Sequence, residues 1–379
     1  MALVSRLTVL ESKEPEPEDI MCAALAVIFP DDVMVQHGDP DHALEWRSPH
    51  LPPGKHLRIT LADPPDRHDR YLFSHYLWNA SLLVAEFVEA ASLGVPLGMP
   101  SGVGRGSSSP RGKMVPGPPA ASPRIGAEDE DEEEEEVDLS VFSVRGKRVL
   151  EVGAGTALPS MVASLVGASR VAATDYPSPI VLETLAANVA ANASAENSPL
   201  HPPRVVPIEV YGHKWGDLPT SSPVFEDAEA DEDDEEEENG SASAAASREW
   251  KRQQRERDQA FATANAGAFD VVLSCDCLWM PWQHAGLRRS IAHFLAPGPG
   301  ARALVAAGFH TGRGELRGFF DSEALARLGL EVERIWERDC HGAERPWVLD
   351  RGLEDVTERK RWLVVAVLRR VRGGEEVTG

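Results

Sequence analysis

Cysteine is scarce: four in 379 residues, at Cys22, Cys275, Cys277 and Cys340. So few exclude a disulfide scaffold and point to a reducing compartment. Cys275-x-Cys277 has no second pair at zinc spacing, which argues against a metal site. Basic charge is also short, with 38 Lys and Arg against 61 Asp and Glu and a formal net charge of −23. The deficit is local. Glu128–Asp138 holds ten acidic residues and no basic one, and Glu226–Glu238 holds eleven. The remainder carries a net −2, with no strong basic patch of the kind nucleic acid demands. Such acidic tracts repel themselves and stay solvated. No apolar run is long enough to span a membrane, and the N-terminus has no cationic start followed by an apolar core. These absences predict a soluble chain. Residues 251–257 are too broken by acids for a nuclear signal, so the cytoplasm is the expected location.

What is present is a regular α/β pattern. Residues 1–65 are rich in proline and acid and read as a poorly ordered leader, with one unassigned apolar patch, MCAALAVIF at 21–29. Residues 71–91 carry apolar positions at helical spacing. A Pro/Gly-rich and then acidic linker spans 94–139. Apolar runs at RVLEV (148–152), RVAATD (170–175), VVPIEVYGHKW (205–215), FDVVLSCDCLW (269–279) and RALVAAGF (302–309) read as strands. Helical segments alternate with them: LPSMVASLV, the run following Ser178-Pro179, and HAGLRRSIAHFL. Residues 218–268 read as an acidic and charged insert whose REWKRQQRERDQ could form a surface helix. Strand–helix alternation predicts a mostly parallel sheet. The final pair, LEVERIWER and RWLVVAVLRR, has no strong helix between and predicts an antiparallel hairpin. The core domain is thus expected over 66–93 and 140–371.

The chemistry starts at VLEVGAGTALPS, 149–160. A dinucleotide fingerprint G-x-G-x-x-G needs a third glycine, but Leu158 stands there. The lysine and hydroxyl of a phosphate loop are absent as well. What the stretch has is Glu151, two residues before Gly153, and Asp175, at the end of the next strand. A carboxylate at 175 can accept from two adjacent ribose hydroxyls, and one at 151 can meet an ammonium directly or through water. Ribose and ammonium without pyrophosphate describe S-adenosylmethionine. The expected fold is therefore a Rossmann-like S-adenosylmethionine-dependent methyltransferase, with seven strands.

LWNA (77–80), VLEVGAGTALPS, TDYPS (174–178), YGHKWGD (211–217) and LSCDCLW (273–279) follow one another in order. Together they resemble the family-16 protein lysine methyltransferases. The nearest likeness is to the fungal branch that methylates the N-terminus and adjacent lysine of elongation factor 1-alpha, whose members carry an older label, nicotinamide N-methyltransferase. The resemblance implies S-adenosyl-L-methionine as cofactor and a protein substrate, with elongation factor 1-alpha the named possibility. It implies that Trp78 closes over the cofactor and that Gly153, Ala154 and Gly155 line its methionine side. Asp175 would hold the ribose with Tyr176 beside it, and Trp215 would pack on adenine. Cys275 would lie near the cofactor and Asp276 beside the transferring methyl. The family branch has Ser-Asp where this chain has Cys275-Asp276, and it differs again at WMPWQH (279–284), so substrate identity is where the resemblance carries least.

Amine methylation needs an unprotonated nitrogen, and an apolar channel lowers an amine's pKa. Trp279 and Trp282 are candidates for its wall, and His284 or His310 for the proton acceptor. A small-molecule, nicotinamide-type N-methyltransferase and a non-catalytic cofactor-binding scaffold remain as alternative readings. Nucleic-acid methylation is disfavoured, because Asp276-Cys-Leu-Trp replaces the Pro-Pro-aromatic step such enzymes use. No membrane, nucleic-acid or metal partner is expected, and a monomer is the default.

Overall fold

The computed structural model describes residues 3–10, 35–64, 76–97, 139–220, 222 and 242–371. Cys22, the patch at 21–29 and both acidic tracts lie outside the described residues. In chain order the first strands are β1 (Leu7–Val9), β2 (Gln36–His37), β3 (Leu44–Trp46), β4 (Leu57–Ile59) and β5 (Leu77–Trp78). Then come β6 (Arg148–Val152), β7 (Arg170–Asp175), β8 (Ile208–Gly212), β9 (Val271–Cys275), β10 (Arg302–Gly308), β11 (Leu330–Asp339), β12 (Glu344–Pro346) and β13 (Trp362–Arg370). The helices are α1 (Asn79–Leu93), α2 (Leu158–Leu165), α3 (Pro179–Asn192), α4 (Ala242–Ala264), α5 (His284–Phe294), α6 (Arg313–Arg317), α7 (Ser322–Arg327) and α8 (Val356–Lys360).

Strands β6 to β13 form one sheet in the order β12-β11-β13-β10-β9-β6-β7-β8. The pairings β10–β9, β9–β6, β6–β7 and β7–β8 are parallel. β13 is antiparallel to both β10 and β11. This is the expected Rossmann-like layering with its antiparallel end. It has eight strands rather than seven, because three residues after β11 fold back as β12. Alternation along each strand assigns the two faces. Val149, Leu273, Leu304 and Ala306 pack with α1, α2 and α3. Leu150, Val152, Val272 and Val305 pack with α5 and the last turns of α4. Among the described residues no helix is long and apolar enough to cross a membrane.

The described parts of the leader are folded, which corrects the expectation of disorder there. β1, β3 and β4 form a small sheet of their own, with Leu44, Trp46, Leu57 and Ile59 buried. Two side-chain amides of α3 take the place of a further strand beside β4. Asn192 accepts from the Arg58 amide at 2.8 Å and donates to the Arg58 carbonyl at 2.7 Å. Asn188 does the same for Thr60, at 2.8 and 2.9 Å. β2 pairs with β5 so that Gln36 stands opposite Trp78. The helix expected from 71 begins at Asn79 instead, and Leu77-Trp78 is strand; 71–75 lie outside the described residues.

The charged insert is also more integrated than its composition suggests. Phe261 and Ala262 of α4 are buried, and Phe261 stacks on Tyr211 at 4.1 Å between centroids. Asp258 accepts from the Gly212 amide at 2.9 Å. The end of α4 thus covers the edge strand β8, where unpaired backbone would otherwise face water.

Candidate active site

The chain runs from β6 outward through β7 to β8, then returns to β9 and continues through β10 toward the other edge. The strand order therefore reverses between β6 and β9. In open α/β sheets ligands bind outside the carboxyl ends of the strands at such a switch point. Two sequence features meet there: the turn after Val152 and the Cys275-Asp276 end of β9.

The turn is tightly wound, with Gly153, Gly155 and Ala157 at φ of 68°, 52° and 60°. A Cβ on Gly153 would lie 2.6 Å from Cys277 Sγ and 2.9 Å from Trp215 Cζ2. Glycine is required there by backbone and by space together. The Ala154 amide donates to the Thr174 carbonyl at 3.0 Å. The Gly155 amide donates to Asp175 Oδ2 at 2.6 Å, and the Tyr176 amide to Asp175 Oδ1 at 2.7 Å. Asp175 is buried, and burial raises its pKa to about 6 while the two amide bonds pull it back. Each of its oxygens keeps a further lone pair.

Glu151 lies beneath the turn. It is fully buried, and its Oε2 accepts from the Ser160 amide at 3.0 Å and the Ser160 hydroxyl at 2.5 Å. It caps the first turn of α2 from beneath the loop, where a helix N-terminus favours an acceptor. Its Oε1 is buried without a hydrogen-bond partner among the described residues; the Cys275 thiol beside it is a weak donor. Burial, only partly offset by Ser160, raises the Glu151 pKa to about 8. Cys275 is buried too, and burial with the nearby Glu151 charge holds its thiol protonated. The cysteine that lies against the glycine turn is Cys277, whose Sγ sits 3.4 Å from the Val152 carbonyl. The sequence reading passed over it.

Asp276 lies at the end of β9 with φ of 59°, in the left-handed region that a non-glycine residue rarely occupies. Its amide donates to the Ala306 carbonyl at 2.8 Å, which holds the chain in that conformation. Its Oδ1 accepts from the Gly308 amide at 3.0 Å and lies 3.0 Å from His310 Nε2. Oδ2 is buried without a partner among the described residues. A Cβ on Gly308 would lie 2.6 Å from the His310 ring, so glycine lets the imidazole fold back over the strand end. Trp78 packs on that ring, with centroids 4.8 Å apart. Burial lowers the His310 pKa, but the charge and hydrogen bond of Asp276 outweigh it and the net shift is upward.

The remaining candidates separate clearly. His284 is buried, its Nε2 lies 2.9 Å from the Leu278 carbonyl and its ring stands edge-on to Phe319. Burial lowers its pKa. It is a core histidine. Trp279 and Trp282 meet at 6.5 Å, but Trp282 is 72% exposed, so this pair forms an open rim rather than a closed channel wall. Trp215 lies beside Gly153. A cavity of about 460 Å³ lies elsewhere, toward β12 and β13. Arg345 and Glu354 in its lining pair with each other at 3.3 Å.

Comparison with known proteins gives short, specific matches. No protein-family model matches the chain. A segment of 73 residues, 19% of the chain, is 41% identical to the protein N-terminal and lysine N-methyltransferase efm7 of Emericella nidulans. Another of 80 residues, 21% of the chain, is 38% identical to its Schizosaccharomyces pombe namesake. The matches cover 27% and 28% of those relatives, so the chain spans about a quarter of their length. Solved structures overlap loosely. A ribosomal protein L11 methylase from Lactobacillus delbrueckii subsp. bulgaricus gives a TM-score of 0.30 at 15% identity, over 60% of this chain and 71% of that one. A branched-chain polyamine synthase from Thermus thermophilus gives 0.34 at 15% identity, over 60% and 52%.

Proposed function

We propose that the chain is an S-adenosylmethionine-dependent N-methyltransferase acting on a lysine or N-terminal amine of a protein, with elongation factor 1-alpha the candidate substrate. One observation carries the reading. At the switch point of the sheet, the Gly155–Asp175 unit and the strained Asp276 are joined through Cys277, which contacts the glycine turn. The names of the short-range relatives support the same substrate class. The reading includes a monomeric enzyme in the cytoplasm, which accords with the free state of Cys275, Cys277 and Cys340.

The donor set fits the cofactor. Asp175 presents two fixed oxygens, each with a spare lone pair, to vicinal hydroxyls. Gly153 leaves backbone where a side chain would intrude, and Trp215 supplies an aromatic face beside it. Glu151 holds the loop from below rather than meeting the ligand directly. When bound, the cofactor supplies an electrophilic sulfonium methyl. The residues of the chain then align the amine, and positioning alone is worth up to about 7–11 kcal/mol in favourable cases. Trp78, packed on His310, offers the ring face that attracts a substrate cation.

The test is methyl transfer from labelled S-adenosylmethionine into a fungal cell extract, with Asp175→Ala as control. The expected result is a labelled protein band that vanishes with the variant. Label confined to the soluble small-molecule pool would replace this reading with the nicotinamide-type one. Cofactor binding without any transfer, in extract from cells lacking the protein, would favour a scaffold.

A further inference from the structure

We infer that His310 is the proton acceptor for the substrate amine, and that Asp276 is the positioning residue that fixes its tautomer. The inference rests on the methyltransferase reading and adds a residue that no relative's name assigns. Its basis is a division of labour visible in exposure. The Asp276 side chain is 3% exposed and the His310 side chain 19%. The histidine is therefore the member of the pair that reaches open space.

The tautomer follows from chemistry. An ionised carboxylate only accepts hydrogen bonds, so the 3.0 Å contact requires the proton on Nε2. Nδ1 is then the unprotonated nitrogen with a lone pair. Three further features hold this arrangement. Asp276 is kept at φ of 59° by its own amide, a strained conformation of the kind retained at functional sites. Gly308 makes room for the ring and binds the same carboxylate oxygen. Trp78 packs on the ring at 4.8 Å between centroids.

The proton balance is simple. A lysine ammonium has a pKa of about 10.4 and an N-terminal one about 8, so each arrives protonated. The ammonium gives one proton to Nδ1, and the imidazole becomes imidazolium beside the Asp276 carboxylate. The freed nitrogen pair forms the N–C bond as the S–C bond breaks, and the electrons of that bond stay on sulfur. Positive charge passes from sulfur to the methylated nitrogen. His310, whose side chain is 19% exposed, then returns its proton to water. Among the described residues the charged groups around the ring are few. Asp276 faces it from β9. Arg313, on the same segment, is turned to Glu337 and Glu354. Tyr76 lies beyond Trp78 at 6.1 Å.

The experiment measures the initial rate of label transfer into the protein fraction of fungal extract from about pH 5.5 to 9, with cofactor affinity measured alongside. Wild type should rise along a limb whose apparent pKa lies above the ordinary histidine value of 6.5. His310→Gln should cut the rate roughly 10²–10⁴-fold and flatten that limb, with cofactor affinity unchanged. Asp276→Asn removes the charge that raises the histidine, so its limb should move to lower pH. A His310→Gln protein with wild-type rate, or with the limb unmoved, overturns the inference; the limb would then belong to the substrate amine. If the variant does not fold, imidazole NMR titration of the wild-type protein decides. A pKa above 6.5 with the Nε2–H tautomer supports the role, and a lower pKa or the other tautomer overturns it. Wild-type protein that neither binds cofactor nor transfers label overturns the parent reading instead, a result distinct from all of these.

Discussion

The Gly155 amide and Asp175 Oδ2 lie 2.6 Å apart, which ties the glycine turn to the end of β7 as one unit. The other Asp175 oxygen holds the Tyr176 amide. Asparagine at 175 has a single acceptor oxygen, so Asp175→Asn leaves one of the two amides without its partner. A buried unsatisfied donor costs about 1–3 kcal/mol. Calorimetric titration should show S-adenosylmethionine affinity falling about 10- to 100-fold. An unchanged affinity would remove Asp175 from the cofactor site.

Glu151 makes stability depend on pH in an unusual direction. Its folded pKa of about 8 stands above its ordinary 4.5. Between those values the folded chain holds a proton that the unfolded chain has lost. Stability must therefore fall as pH rises through that window, by up to about 1.4 kcal/mol per pH unit. Asp175, raised from 3.8 to about 6, adds the same sign at the acid end. Glu151→Gln has no proton to lose and should flatten most of the slope. Urea unfolding midpoints at about pH 5, 7 and 9 check this. Equal slopes in wild type and variant would rule out Glu151 as the source.

Gly153→Ala meets two obstacles that can be separated. The left-handed φ of 68° costs about 1–2 kcal/mol for any side chain. The contact with Cys277 Sγ at 2.6 Å adds a clash. Thermal melts should show Gly153→Ala destabilised by more than the conformational cost alone. Adding Cys277→Ala should recover the excess, because neighbouring sites couple. Recovery of nothing would place the whole cost in the backbone and in Trp215.

The sheet was legible because its central strands are short continuous apolar runs, buried on both faces. The residues of β6, β9 and β10 divide between two packed faces with period two. The glycine turn, Asp175 and Asp276 were legible because their spacing is a local property. Three things were not. Asn188 and Asn192 hold β4 across more than 120 positions of sequence, and two asparagines on a helix give no local sign of that. Glu151 stands in the pattern of a ligand contact, yet Ser160, in the first turn of α2, takes its carboxylate. His310 was one of two histidines with equal standing. The contact with Asp276, the turn at Gly308 and the packing of Trp78 distinguish it from His284.

Arg313 connects the far edge of the sheet to that histidine. Its guanidinium bonds both oxygens of Glu337, at 2.5 and 3.1 Å, and reaches Glu354 at 3.0 Å. It also lies over Phe309, the neighbour of His310, at 4.5 Å and over Trp347 at 5.1 Å. Glu337 is fully buried, and its other cations are Arg345 at 2.7 Å and Arg351 at 3.4 Å. Arg313→Met keeps an apolar stem on the two rings but strips the buried carboxylate of its bidentate partner. Breaking a buried pair from one side costs about 3–5 kcal/mol. Denaturant unfolding should show that loss. Arg313→Met with Glu337→Gln should regain part of it, since no carboxylate is left short of its bidentate partner. The single variant should also lower turnover more than cofactor affinity, because the segment it releases carries His310 and not the glycine turn. A single variant as stable as wild type would mean that Arg345 and Arg351 suffice for Glu337 and that the packing over Phe309 needs no charge.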